Sequence, residues 1–192
     1  LNLQNLEFIY EKSLFPELEY VFKHALTREV AYNSLLQQRR RHIHEKIGRA
    51  IETLYPDRIE EFYEILAHHY SRSDNFEKAH HFLRLSGDKA MRKYSASEAY
   101  SYFKDAMAAL KKLPESEDNK RKQVTIIHSM LTPIIILGFP EDSLCILQEG
   151  QRIATIINDR KSLIRFYSNT GVFYSHAGRQ SEARKYLEKA FE

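Results

Sequence analysis

The sequence predicts an all-α fold, an α-α superhelix of irregular helical hairpins with a short β-hairpin in front, and three observations lead there. Four stretches share one layout, a polar or glycine-containing turn, two or three residues opening a helix, then the first residue of a buried face: Asn75-Phe76-Glu77-Lys78-Ala79, Ser95-Ala96-Ser97-Glu98-Ala99, Pro140-Glu141-Asp142-Ser143-Leu144 and Gln180-Ser181-Glu182-Ala183. From Thr27 onward apolar residues recur at spacings of three and four, the period of an amphipathic helix. Runs that favour strands are confined to residues 7–23. A helix-turn-helix unit cannot bury its own apolar face, so such units stack into a solenoid whose use is a surface for other molecules.

The strand-favouring runs are Phe8-Ile9-Tyr10 and Leu18-Glu19-Tyr20-Val21-Phe22, flanking a turn at Ser13-Leu14-Phe15-Pro16-Glu17. A lone hairpin is marginal in water and is expected to lean on a neighbour. Leu26, Val30, Ala31 and Leu35 then form a short helical stripe, and Ile43, Ile47, Ala50, Ile51 and Leu54 a cleaner one that Pro56 ends. Asp57 with Glu60 matches a capping box and opens a third helix with Phe62, Ile65, Leu66, His69 and Tyr70 on one face; Asp74 with Glu77 repeats the device. The next helix carries Phe76, Ala79, Leu83, Ser86 and Ala90 and reaches about Tyr94 through Gly87, a residue that permits close packing or a bend.

Ser95 with Glu98 caps a helix whose seam is Ala96, Ala99, Phe103, Ala106, Leu110 and Leu113, stopped by Pro114. The charged stretch 115–122 reads as a linker or the polar first turn of a helix. Val124, Ile127, Leu131 and Ile135 mark the helix after it, which Pro133 is expected to bend or locally break. Leu144, Leu147, Ala154 and Ile157 mark its partner, and a last pair spans 163–176 and 181–191. The expected organisation is thus a hairpin over 1–24, a connecting helical pair over 25–56 and helical repeats over 57–192, with a weak internal boundary near 114–122.

Composition narrows the function classes. Twenty-nine basic and 26 acidic side chains leave a net charge of +3, too little to argue for nucleic acid or a membrane from bulk charge. The apolar run from Met130 to Phe139 is broken by Thr132, Pro133 and Gly138 and falls short of the roughly 20 residues a membrane span needs. One cysteine, Cys145, excludes an internal disulfide, and its apolar neighbours suggest a buried thiol in a cytoplasmic protein. The chain opens on Leu1 without a signal pattern and stops inside an apolar stripe at Ala190-Phe191-Glu192, so an excerpt of a longer protein is expected.

The last helical pair resembles a tetratricopeptide repeat. Against that pattern it offers Tyr167, Thr170-Gly171, Tyr174, Ala183, Leu187 and Ala190 at matching spacing, and an earlier unit offers Tyr63, Leu66-Ala67, Tyr70, Ala79, Leu83 and Ser86. Gly171 and Ala183 are small where two helices approach closely. The other units depart from the ~34-residue period, which implies an uneven solenoid.

A second resemblance covers Tyr20 to Glu52. Tyr20-Val21-Phe22-Lys23-His24-Ala25-Leu26, Val30-Ala31-Tyr32-Asn33-Ser34-Leu35-Leu36, Arg39-Arg40-Arg41-His42-Ile43-His44 and Ala50-Ile51-Glu52 look like the segment that follows the ATPase core in STAND-class signal-transduction ATPases, including those attached to bacterial class III nucleotide cyclases and some kinases. This resemblance implies a P-loop ATPase and a winged helix upstream, with the hairpin as the tail of the winged helix. It supplies no catalytic residue, since the chain holds no Gly-x-x-x-x-Gly-Lys-Ser/Thr loop.

Other constellations carry less. His68, His69, His80 and His81 would bind zinc only if His69 faced His80 and further ligands joined; no thiolate or spaced carboxylate does, so no metal and no cofactor is expected. Cys145 lacks the electropositive setting of a nucleophile. Arg39, Arg40, Arg41 and His42, with Lys46, Arg49, Lys120, Arg121 and Lys122, read as a solvated face or a contact to the ATPase domain, and nucleic acid is not expected.

The tetratricopeptide resemblance implies a concave face lined by first-helix residues off the seam. These are Glu64 and His68, then Arg84, Asp88 and Arg92, then Ile126, Ser129 and Pro133, then Arg165, Asn169 and Val172. The expected function is a non-catalytic interaction and regulatory module of a larger signalling ATPase, binding a protein, a peptide or its own ATPase or cyclase domain. A free-standing adaptor and part of a winged-helix DNA-binding regulator are the alternatives.

Overall fold

Apolar stripes at helical spacing become nine helices among the described residues of the computed structural model, which describes residues 3–13 and 19–191, with Ser13 and Glu19 by backbone alone. Strands β1 (Ile9–Ser13) and β2 (Glu19–Phe22) form the hairpin, antiparallel, with Ile9 opposite Phe22 and Tyr10 opposite Val21. The register shifts between Glu11 and Ser13. The expected turn at 13–17 falls, apart from the Ser13 backbone, outside the described residues, as do Leu1, Leu18 and the terminal Glu192.

Helices α1 (Ala25–Asn33) and α2 (Gln37–Leu54) follow, then a 3-10 segment (Pro56–Phe62) and α3 (Tyr63–Ser71), α4 (Phe76–Arg92), α5 (Ala96–Leu110), α6 (Glu117–Ile136), α7 (Ser143–Ile156), α8 (Arg160–His176) and α9 (Gln180–Phe191). From α2 on, each helix packs mainly against the next in the chain. That consecutive packing lets every helix cover its neighbour's apolar stripe, which one hairpin alone leaves open.

The α5 seam is where sequence and structure agree most closely: Ala96, Ala99, Phe103, Ala106 and Leu110 are all buried. The last four join Leu66, Tyr70, Phe82 and Leu83 in one core cluster, which continues into α6 through Ile126, Met130 and Ile134. A second cluster joins the other side of α6, at Val124, Ile127 and Leu131, to Leu147 and Ile153 of α7 and Phe166 of α8. Helix α6 is therefore apolar on two faces and runs through Pro133 uninterrupted to Ile136. The charged stretch before it becomes its first turn, capped by Ser116, whose Oγ accepts from the Asn119 N–H at 3.1 Å.

Three glycines of the later helices each receive a large side chain of the following helix. A Cβ added at Gly87 would overlap the Phe103 ring, and one at Gly171 would stand 2.7 Å from Leu187; Gly150 meets Phe166 in the same way. In each pair the large side chain comes sixteen residues after the glycine, on the next helix across a short turn; Gly48 of α2 meets the Tyr70 ring of α3 at a longer separation, because the 3-10 segment lies between those helices. Helix α8 takes part twice, seating Phe166 on α7 and receiving Leu187 from α9. Such shared use of one helix gives uneven intervals in sequence while the local contact stays constant.

Three local expectations need correction. Asp57 and Glu60 form no capping box, for they lie inside the 3-10 segment, whose N-cap has no side-chain bond. Asn75, not Asp74, caps α4, its Oδ1 accepting from the Lys78 N–H at 3.1 Å. Ser95 makes no side-chain cap bond. In addition, Ile65 and Ile135 are exposed, not inward, since α3 and α6 present neighbouring positions to their partners.

Candidate functional site

The residues expected on a concave face do not form one open surface. Lys89 bridges α4 to Glu64 of α3 at 2.8 Å, Arg84 pairs with Asp88 one turn on at 2.7 Å, and Arg92 pairs with Glu60. The charged end is thereby largely neutralised within the chain. Burial pushes the Asp88 carboxyl up, against the Arg84 and Arg92 charges. Ile126 and Pro133 are corrections: both are buried, because α6 is sandwiched between two core clusters and has little free face. Ser129 is half-buried on the same helix. On α8, Arg165 and Val172 are exposed and Asn169 is half-buried, its side-chain amide donating to the Arg165 carbonyl.

His68 is exposed, and the histidines associate otherwise than expected. His69 does not face His80; its Nδ1 lies 2.9 Å from Nδ1 of His44 on α2, while His80 Nδ1 donates to the Glu77 carbonyl at 2.7 Å. Tyr32 of α1 reaches the other nitrogen of His44 at 3.1 Å, so a hydrogen-bonded line joins α1, α2 and α3. Two imidazoles bonded nitrogen to nitrogen share one proton, so the bond cannot persist with both of those nitrogens protonated. Burial, reinforced by the His44, His68 and Arg72 charges, pulls His69 down to about 4. Among the described residues no group of three or more His, Cys, Asp or Glu side chains is arranged to hold a metal ion.

The basic run is spread by helix geometry. Arg40 lies over the Tyr32 ring and donates to the Leu35 and Asn33 carbonyls, Arg41 pairs with Asp74, and Arg49 with Glu45. Further on, Lys122 reaches both Glu77 and Asp118, and Arg121 pairs with Glu117. Among the described residues Arg39 and Lys46 make no ion pair, while Arg41, Arg49, Lys120, Arg121 and Lys122 are matched within the chain.

An open groove of about 540 Å³ lies instead between α5 and α7, over α6. Its floor is Met107 and Ala108 of α5, Ile127 and Met130 of α6, and Ile146 of α7. Its rim carries Lys104 and Lys111 on one wall, and Asp142, Glu149 and Arg152 on the other. Lys104 and the Tyr100 hydroxyl both donate to Asp142, the lysine at 2.7 Å. Burial pushes the Asp142 carboxyl up, but these bonds and the Lys104 charge outweigh it and hold the group below the ordinary carboxylate range. Glu149 is held low as well, chiefly by its hydrogen bond from Arg152.

Cys145 stands on this rim and is exposed, which corrects the expectation of a buried thiol. A helix turns ~100° per residue, so with Ser143 and Leu147 pointing inward Cys145 points out. None of the expected site residues lines the groove. Its signal in the sequence is the i, i+3, i+4, i+7 set Lys104, Met107, Ala108 and Lys111, which forms a second, amphipathic stripe beside the α5 seam.

A second concavity, of about 500 Å³, is shared by the hairpin and α1 and is lined by Leu3, Phe8, Phe22, Leu26 and Val30 among others. Among the described residues no helix is long and apolar enough to cross a membrane. Neither protein-family models, nor curated proteins, nor solved structures give a match to this chain.

Proposed function

We propose that this chain is a non-catalytic interaction and regulatory module, of cytoplasmic location, belonging to a larger signalling ATPase. The observation that carries the reading is the contrast between a well-buried helical array and an N-terminal part that buries almost nothing. Helix α1 has no buried residue, and Leu26 and Val30 are 70% and 61% exposed, beside Phe8 and Phe22 of the hairpin. A contiguous apolar face of this kind marks a site covered by another folded surface. The ATPase side of the reading rests on the resemblance of Tyr20 to Glu52, and the superhelical side on the tetratricopeptide-like spacing, with the sixteen-residue seats in its support.

The mechanism is bias of an attached switch. A domain seated on the hairpin and α1 is linked to the array through Tyr32, His44 and His69, so a partner held by the array shifts the seated domain's population by its differential affinity for two arrangements. The test is ATP hydrolysis by the full-length gene product, with and without Leu26→Glu and Val30→Glu. Hydrolysis altered severalfold by these exposed substitutions supports the reading. A gene product that hydrolyses no ATP contradicts it and leaves the free-standing adaptor, which the α5–α7 groove favours because that groove is built entirely within the array.

A further inference from the structure

We infer that the groove between α5 and α7 receives an acidic amphipathic helix of a protein partner. The inference rests on the reading of the chain as an interaction module and specifies one of its surfaces and the chemistry that fits it.

Shape comes first. Elsewhere in the array a helix's apolar stripe is covered by the next helix. Along α5, Lys104, Met107, Ala108 and Lys111 make a stripe of the same period, and α7 opposes it with Cys145, Ile146, Glu149 and Arg152, behind Asp142 at its N-cap. Two helical walls over an apolar floor present the ridges and grooves that a further helix interdigitates with. Met107 and Met130 in the floor add adaptable side chains suited to a helix's leucine-type anchors.

Charge sets the sign of the partner. Asp142 is already occupied by Lys104 and Tyr100, and Glu149 by Arg152. Both carboxylates of the rim are thus matched by a cation within the chain. Lys111 is exposed and its side chain makes no ion pair or hydrogen bond among the described residues, and Lys104 and Arg152 remain half-open to solvent at 49% and 59%. A neighbouring hollow shares Lys111, Glu149 and Arg152 and adds Lys120 and Glu115, which pair with each other at 3.7 Å, so Lys111 remains the unmatched charge of the two. A helix with glutamates flanking its apolar face thus finds cations on both edges; one with lysines finds repulsion at Lys111.

The chain provides its own reporter, since Cys145 is its one cysteine and sits on the rim. The probe is a synthetic amphipathic helix with leucines at i, i+3, i+4 and i+7 flanked by glutamates, beside the same peptide with lysines in place of the glutamates. The glutamate peptide is expected to slow alkylation of Cys145 saturably, and the lysine peptide to leave it unchanged. Lys111→Glu is expected to weaken the glutamate peptide about fivefold, and Ala108→Trp, which fills the groove from an exposed position, to abolish protection. Unchanged circular dichroism establishes that both variants are folded. Equal binding of the two peptides overturns the inference, as does binding that leaves Cys145 reactive. Protection by dodecanoate but not by the glutamate peptide overturns it in favour of a small anionic amphiphile. None of these outcomes bears on the ATP-hydrolysis test of the wider reading.

Discussion

Phe103 in α5 is fully buried, whereas Phe8 in the hairpin is 44% exposed and Leu26 in α1 is 70% exposed. Both regions, the helical array and the N-terminal part, are built from amphipathic elements with correct periodicity. They differ in whether the apolar side meets a partner within the chain. Periodicity therefore identifies a face that demands cover, and the consecutive packing of α2 to α9 decides which faces receive it. The α1 stripe of Leu26, Val30 and Ala31 is as legible as that of α5, yet only the α5 stripe is enclosed.

The largest test of this contrast is truncation in each region. Phe103→Ala is expected to lower unfolding free energy by about 3–5 kcal/mol, through lost transfer energy and a cavity in a core that cannot collapse. Leu26→Ala is expected to change it by less than about 0.5 kcal/mol. Urea denaturation of both variants decides the matter, and comparable losses would erase the distinction between the regions.

Gly87→Ala probes the close packing inside the array. Alanine favours a helix by about 1 kcal/mol over glycine, so propensity alone predicts stabilisation. Its Cβ would overlap the fully buried Phe103 ring, which must shift to admit it. We expect a net loss of about 1–3 kcal/mol, seen as a lower midpoint in the same titration. A rise would mean that the seat is looser than the geometry implies.

The junction between the regions is expected to respond to pH. His69 is lowered from the ordinary 6.5 to about 4, so the unfolded chain takes up its proton first as pH falls. The stabilisation is full above pH 6.5 and is lost progressively down to about pH 4, in total about 2 kcal/mol once solvent screening is allowed for. Thermal melts across this window check it, with His69→Leu expected to flatten that part of the profile.

Much of the array is legible in spacing alone: the α5 seam, the turn before α9 and the charged opening of α6. The misses have physical causes. A single stripe of period 3.6 implies a one-sided α6, but its apolar residues serve two cores, so Ile126 and Pro133 do not reach the surface that spacing assigns them. The apolar sequence neighbours of Cys145 imply burial, though azimuth on a helix, not adjacency, sets it. Asp74 and Asn75 are both competent caps one residue apart, and spacing cannot choose between them. The α5–α7 groove escapes because it depends on how far two helices separate over a third, a distance that no local pattern encodes.

Amide hydrogen exchange, followed in the chain alone and in the full-length gene product, tests the contrast most directly. In the chain alone, amides of α5 are expected to exchange only by global unfolding, while those of α1 and β2 exchange by local opening. The proposed covering domain predicts that α1 and β2 gain protection of about tenfold or more in the full-length product, with α5 unchanged. Protection of α1 equal to that of α5 in the chain alone, or no gain in the full-length product, would contradict the account.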